Sequence, residues 1–173
     1  MEVIILIGLQ ASGKSTFHRQ HFAATHAYVS RDQFRNSRDP KRRQRELIAQ
    51  ALASGQSVVV DNTSPRAADR APVIQQAREQ GAEVVGYFFE PDIRASVARN
   101  RSRQGMERVP DVAIFSTAKR LERPSLAEGF DRLFRVRASG DSRFEVVPLE
   151  TVSQSPDPGT AEDGPTLERT HSR

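Results

Sequence analysis

The 173 residues suffice for one domain with a sizeable core and are too few for two of ordinary size. The absence of cysteine excludes disulfides and thiolate metal sites, and no apolar run nears the roughly eighteen residues of a membrane span. The net charge of +4 is uneven: from residue 150 onward Glu150, Asp157, Glu162, Asp163 and Glu168 face only Arg169 and Arg173, so −3 falls there and +7 on residues 1–149. The basic excess is nearly all arginine, whose planar fork suits phosphates, so nucleic acid, a triphosphate or another anionic acceptor fits it.

Val3-Ile4-Ile5-Leu6-Ile7 is a continuous, β-branched apolar run, as expected of a parallel strand buried on both faces. Only Met1-Glu2 precede it, so no signal peptide is expected and a cytoplasmic location follows. Gly8 to Ser15 then reads G-x-x-x-x-G-K-S. Gly8 and Gly13 let the backbone curl its N–H groups onto a phosphate, and Ala11, Ser12 and Thr16 belong to the same cradle. Lys14 supplies a charge to the β and γ oxygens, and the Ser15 hydroxyl is a Mg²⁺ ligand. A helix from Lys14 to about Phe22 adds its N-terminal dipole. The combination predicts binding of a nucleoside triphosphate, with ATP and Mg²⁺ as cofactors.

A short strand Ala27–Ser30 ends in Arg31-Asp32, and the carboxyl ends of parallel strands are where ligands gather. There Asp32 can accept the proton of an attacking hydroxyl, or equally cap the next helix. Arg35 lies one turn on and can share its space, to bind an acceptor phosphate or to pair with Asp32. Asp39-Pro40 opens a helix that Ser54-Gly55 closes, with Lys41-Arg42-Arg43 and Arg45 on its solvated face or as a phosphate-tracking stripe. Ser57–Thr63 is the next buried strand. At its end Asp61 can hold Mg²⁺ through water or orient Asp32 and Arg35, and Asn62 or Thr63 can touch the acceptor. All three also fit ordinary turn chemistry.

A helix over 65–80, broken or bent at Pro72, leads to the strand Glu83–Glu90. A helix over Asp92–Arg103, an interruption at Gln104-Gly105-Met106 and a second helix over Asp111–Arg123 together read as a mobile arginine-rich lid, about 92–110. In it Arg99 and Arg103 lie four apart and can neutralise charge on the γ-phosphoryl group, or be solvated like most surface arginines. The second helix is expected to bury Ile114, Phe115, Ala118 and Leu121, with Pro124 beyond it. Arg132–Arg137 and Phe144–Leu149 close the sheet. Alternation of strands and helices predicts a single α/β domain over 1–149, doubly wound, followed by a disordered acidic, Pro- and Ser-containing tail over 150–173. Nothing in the sequence sets the oligomeric state.

With these motifs in order, the chain resembles the kinase domain of the polynucleotide 5′-hydroxyl kinases. The likeness rests on Gly8–Thr16, Ser30-Arg31-Asp32, Asp61-Asn62-Thr63, Arg99-Asn100-Arg101-Ser102-Arg103, Val109-Pro110 and Pro124-Ser125-Leu126-Ala127-Glu128-Gly129-Phe130. It implies a P-loop kinase sheet flanked by helices, with Asp32 as general base and Lys14 and Ser15 on ATP and Mg²⁺. It further implies Arg35 on an acceptor phosphate, Arg103 on the ATP phosphates and Asp61 as required for activity. Gly129 and Phe130 are expected near the adenine. Ala11 stands where the family usually has Gly, and no Asp-x-Asp motif is present, so a 3′-phosphatase activity is not expected.

The resulting expectation is a kinase that moves the γ-phosphate of ATP to a hydroxyl, first the 5′-hydroxyl of DNA or RNA ends. The same scaffold also serves sugar or nucleoside kinases. A non-catalytic ATP-binding regulatory protein is a third reading, in which Asp32 has no chemical task.

Overall fold

The computed structural model describes residues 1–139 and 141–149; the tail expected over 150–173 lies outside the described residues. Strand β1 (Glu2–Ile7) leads through the glycine-rich loop into helix α1 (Lys14–His21), and β2 (His26–Val29) follows. A 3-10 turn at Arg31–Phe34 precedes α2 (Pro40–Ala53), β3 (Ser57–Asp61), α3 (Ala67–Glu79) and β4 (Glu83–Phe89). Helices α4 (Ile93–Ser102) and α5 (Asp111–Arg120) come next, then β5 (Arg132–Ala138) and β6 (Phe144–Pro148).

The described strands form one sheet in the order β2-β3-β1-β4-β5-β6, parallel except for the β5–β6 pair. Strand β1 is central, paired with β3 and β4, which explains its unbroken apolar composition. Its Val3, Ile5 and Ile7 join the cluster with Ile48 of α2 and Val73, Ile74 and Ala77 of α3. Ile4 and Leu6 face the opposite way, with Phe17 of α1 and Val136. In register, Leu6 lies opposite Asp61 on one side and Tyr87 on the other, and Val29 lies opposite Val60. The glycine-rich loop, the Asp61 end of β3 and the Ser30–Asp32 end of β2 therefore meet at one edge of the sheet.

Asp39 caps α2 by accepting from the Arg42 amide at 2.9 Å, with Pro40 in the first turn. The basic run of α2 is solvated, and both Arg42 and Arg43 pair with Glu46. Helix α3 passes through Pro72 unbroken. A proline there removes a single ladder bond, and burial of Val73, Ile74 and Ala77 on the sheet offsets that loss.

Fully buried Arg70, also on α3, makes a two-pronged pair with Glu128 at 2.7 and 2.8 Å and donates to the Ser64 and Pro65 carbonyls. A buried guanidinium is tolerated only with its donors so satisfied. This pair gives Glu128, in the stretch that carries the family resemblance, a structural task.

Two expectations are corrected. Phe115 of α5 is 47% exposed, and the helix buries Ile114 and Thr117 instead, because it packs chiefly on α4 rather than on the sheet. Phe130 lies in the core against Gly86, and the neighbouring Asp131 amide donates to the Val84 carbonyl near the start of β4. Gly129 and Phe130 thus sit at the end of the sheet opposite the glycine-rich loop, away from any adenine held there.

Candidate nucleotide and acceptor site

The loop conformation is dictated by one close approach and one left-handed turn. A Cβ on Gly8 would come within 2.8 Å of the Phe89 Cβ, and Gly13 has φ 101° where the chain turns into α1. The Gly8 amide donates to the Thr63 carbonyl at 3.1 Å, tying the loop to the end of β3. Ala11 has φ 56°, a left-handed conformation that glycine adopts freely and that costs a non-glycine residue about 1 kcal/mol. No side chain caps α1 and no acidic residue occupies its first turn. Its leading N–H groups and positive dipole end therefore face the hollow of the loop, as an anion requires.

Lys14 is buried, with Nζ donating to the carbonyls of Gly8 and Leu9 and to Ser12 Oγ. Burial pushes its ammonium from the usual 10.5 to about 8; Asp61 opposes the shift, Arg103 adds to it and Asp32 opposes it. Ser15 Oγ donates to Asp61 Oδ2 at 2.7 Å, and the Tyr28 hydroxyl donates to the same oxygen at 2.7 Å. Asp61 is buried, and these contacts place it with Ser15 rather than with Asp32 and Arg35. Ser15 and Asp61 are hard oxygen donors side by side at the helix start, which fits Mg²⁺ held by the hydroxyl and by the carboxylate through water.

Across from the loop, Ser30 starts the 3-10 turn with a capping box: its Oγ accepts from the Asp32 amide, and its own amide donates to Gln33 Oε1. Asp32 is well exposed, its side chain at 75%, and Oδ1 accepts from Arg35 Nε at 3.1 Å and pairs with NH2 at 3.0 Å. Arg35 NH1 donates to the Met106 carbonyl at 3.0 Å, so one guanidinium joins Asp32 to the turn between α4 and α5. The Asn62 amide is committed at both ends, accepting from the Arg31 backbone and donating to Gln44 Oε1. It holds the β2 end in place rather than facing an acceptor.

The α4–α5 segment rests on the loop. Arg99 Nε donates to the Ala11 carbonyl at 2.8 Å, and Gln10 Nε2 donates to Thr117 Oγ1 at 3.0 Å. Helix α4 ends at Ser102, so Arg103 is its extended C-cap and no longer shares a helix face with Arg99; its NH1 reaches the Glu107 carbonyl. Thr16 accepts from Arg19 on the exposed side of α1. Asn100, fully buried, exchanges hydrogen bonds with the Val109 backbone in both directions and donates to Asp111 Oδ1. Beside Ser12 opens a cleft of about 540 Å³ lined by Phe89, Glu90, Asp92, Arg99 and Ala138, among others. Tyr28, Asn100 and Gln10 carry no sequence signature of their own. Each had only a pointer: Tyr28 stands two residues before the Ser30-Arg31-Asp32 step, Gln10 within Gly8–Thr16 and Asn100 within Arg99–Arg103.

The sheet order, the loop after β1 and the Asp at the end of β3 define a P-loop kinase-like α/β fold. The chain belongs to the AAA domain family, a family of P-loop kinase type, whose match covers residues 3–124. A gluconokinase from Sinorhizobium meliloti 1021 is similar at 21% identity and a TM-score of 0.56, over 79% of this chain and 82% of that one. Kti12 of Chaetomium thermophilum, in complex with ADP-AlF3, is similar at 16% identity and a TM-score of 0.58, over 81% and 92%. A fungal RNA kinase is similar at 15% and 0.57, over 78% of this chain but only 38% of its own. At these identities the likeness is one of fold. Among the described residues no helix is long and apolar enough to cross a membrane.

Proposed function

We propose that this chain is an ATP-dependent phosphotransferase that uses Mg²⁺ and delivers the γ-phosphate to a hydroxyl, first of all the 5′-hydroxyl of a DNA or RNA end. The observation that carries the reading is the cluster at the loop end of the sheet: buried Lys14 in the glycine-rich loop, Ser15 donating to Asp61 Oδ2 at 2.7 Å, and Asp32 at the end of β2 tied through Arg35 to the turn between α4 and α5. In this reading Asp61 is the metal carboxylate, Asp32 the base and Arg103 the charge-neutralising arginine, and all three act electrostatically on Lys14.

In this mechanism the adenosine lies in the cleft beside Ser12 and Arg99, whose size suits a nucleoside. Gly8, Ala11, Gly13, Ser15 and Thr16 cradle the phosphates, and Lys14 holds the β and γ oxygens. Ser15, with Asp61 behind it, would hold Mg²⁺, which would supply neutralisation of charge on those oxygens. Arg99 and Arg103 belong to a lid that excludes water and stabilises the transferred group. Asp32 accepts the proton of the acceptor hydroxyl as its oxygen bonds to the γ-phosphorus, and the bond from that phosphorus to the β–γ bridging oxygen breaks to release ADP. Arg35 orients Asp32 and reaches a phosphate of the acceptor. The +7 excess over residues 1–149 favours a polyanion as acceptor.

A small hydroxyl acceptor, a sugar or a nucleoside, is the second reading, and the similarity to a gluconokinase favours it. The test offers γ-labelled ATP and Mg²⁺ to a short 5′-hydroxyl oligonucleotide, to the same strand with a 5′-phosphate and to a sugar and nucleoside panel. Label is expected on the 5′-hydroxyl strand alone. Asp32→Ala is expected to abolish transfer while ATP still binds; a variant with full activity would remove Asp32 as base, and label on a metabolite alone would select the second reading. Intact ATP binding with transfer to no acceptor would favour a regulatory protein.

A further inference from the structure

Asp61 is held from two sides by hydroxyls of unlike mobility. Ser15 and Tyr28 donate to the same oxygen, Oδ2, both at 2.7 Å, and among the described residues Oδ1 takes no hydrogen bond. The Ser15 hydroxyl sits on a short side chain at the start of α1 and can ligate a metal through an oxygen lone pair while its proton stays on Asp61. Tyr28 is not free to turn. Its ring lies against that of His18, centroids 4.3 Å apart and planes at 32°, and the phenol is flanked by the Ser15 and Ser30 hydroxyls. His18 stands on α1 one turn after Ser15, buried, with Nε2 lacking any partner among the described residues. It therefore acts on Tyr28 as a flat packing surface and not as a hydrogen-bonding competitor.

We infer that Tyr28 is a positioning residue for the metal carboxylate: its hydroxyl, packed in place by His18, is the second donor that fixes Oδ2 of Asp61 beside Ser15, so that Oδ1, without a hydrogen bond among the described residues, stays open to a metal-bound water. The inference rests on the reading of Ser15 and Asp61 as the Mg²⁺ site. Outer partners of this kind orient a ligand and typically govern metal affinity by about tenfold or more.

The test measures ADP affinity by calorimetry with and without Mg²⁺ for the wild-type chain and for Tyr28→Phe, which keeps the ring on His18 and deletes only the hydroxyl. In the wild type Mg²⁺ is expected to strengthen ADP binding. In Tyr28→Phe that enhancement is expected to shrink about tenfold, with metal-free ADP affinity and thermal midpoint unchanged. An equal or larger enhancement in the variant would overturn the inference. So would a loss of metal-free ADP affinity with the enhancement intact, which is the mark of a merely structural role. If the wild type binds ADP with no response to Mg²⁺, the metal reading of Ser15 and Asp61 fails, and the role of Tyr28 falls with it while nucleotide binding stands.

Discussion

Lys14 shows how burial sets the working state of one side chain. Its ammonium is held near 8, against 10.5 for an unfolded lysine. Between those values the unfolded chain binds more protons than the folded one, so Lys14 makes stability rise with pH through that window, and below about 8 the folded state carries the cost of a buried charge. Phosphates beside Nζ favour the charged form and push its pKa back up. ATP binding at about pH 8.5 should therefore take up protons, and affinity should fall up to about tenfold per pH unit above 8. Calorimetry in two buffers of different ionisation enthalpy reads the uptake, and Lys14→Met should abolish it. No change in uptake between the two proteins would remove Lys14 as the group responsible. Lys14 and Ser15 are legible in the chain because their spacing along one loop is their function. Tyr28 is not, because its partner Asp61 lies thirty-three positions away and only the β2–β3 register joins them.

At the scale of elements, the α4–α5 segment is closed on itself by one buried amide and joined to its surroundings by the hydrogen bonds of Arg99, Thr117 and Met106. Asn100 imitates a backbone pairing with Val109, with bonds of 2.7 and 3.0 Å, and adds a bond to Asp111 Oδ1 at 3.1 Å. Its outward side carries Val112 at 70% and Met106 at 74% exposure, so little hydrophobic burial would compensate a loss there. Asn100→Ala should leave the Val109 amide and carbonyl unpaired at a cost of about 1–3 kcal/mol, concentrated in this segment. Hydrogen exchange should then speed up about tenfold or more over α4 and α5 and stay unchanged in β1. Equal acceleration in β1 would mean that the segment is part of the global unfolding unit. The same weak docking explains why helical periodicity misplaced Phe115: an apolar stripe predicts a buried face only where another element arrives to cover it. For α2 and β1 the covering elements do arrive, and their patterns read true.

For the whole molecule, charge is the quantity that reaches farthest. The +7 over residues 1–149 includes Arg31, Arg38 and Arg108, none of which makes an ion pair among the described residues, and all three belong to segments that flank Asp32 and Met106. If the acceptor is a nucleic acid strand, each phosphate contacted should contribute about −0.7 to the slope of log affinity against log salt. A 5′-hydroxyl oligonucleotide touched at two or more phosphates should therefore give a slope of about −1.4 or steeper, measured by fluorescence anisotropy, and Arg35→Ala should remove about 0.7 of it. A flat response would turn the acceptor site toward a small uncharged hydroxyl compound.

By itself the sequence determined the strand that carries the loop, the phosphate-binding spacing of Gly8 to Ser15, and the start of α2 at Asp39-Pro40, whereas the cap it offered at Asp32 proved to be Ser30. Each depends on neighbours a few positions apart, where backbone geometry and local hydrogen bonds leave little freedom. Tertiary structure alone decided that Asp61 serves Ser15 and not Arg35, that Asn62 braces the β2 end, that Phe130 fills the far end of the core and that Arg70 and Glu128 find each other across the chain. Those choices rest on sheet order and register, which bring together residues whose separation along the chain carries no periodic trace.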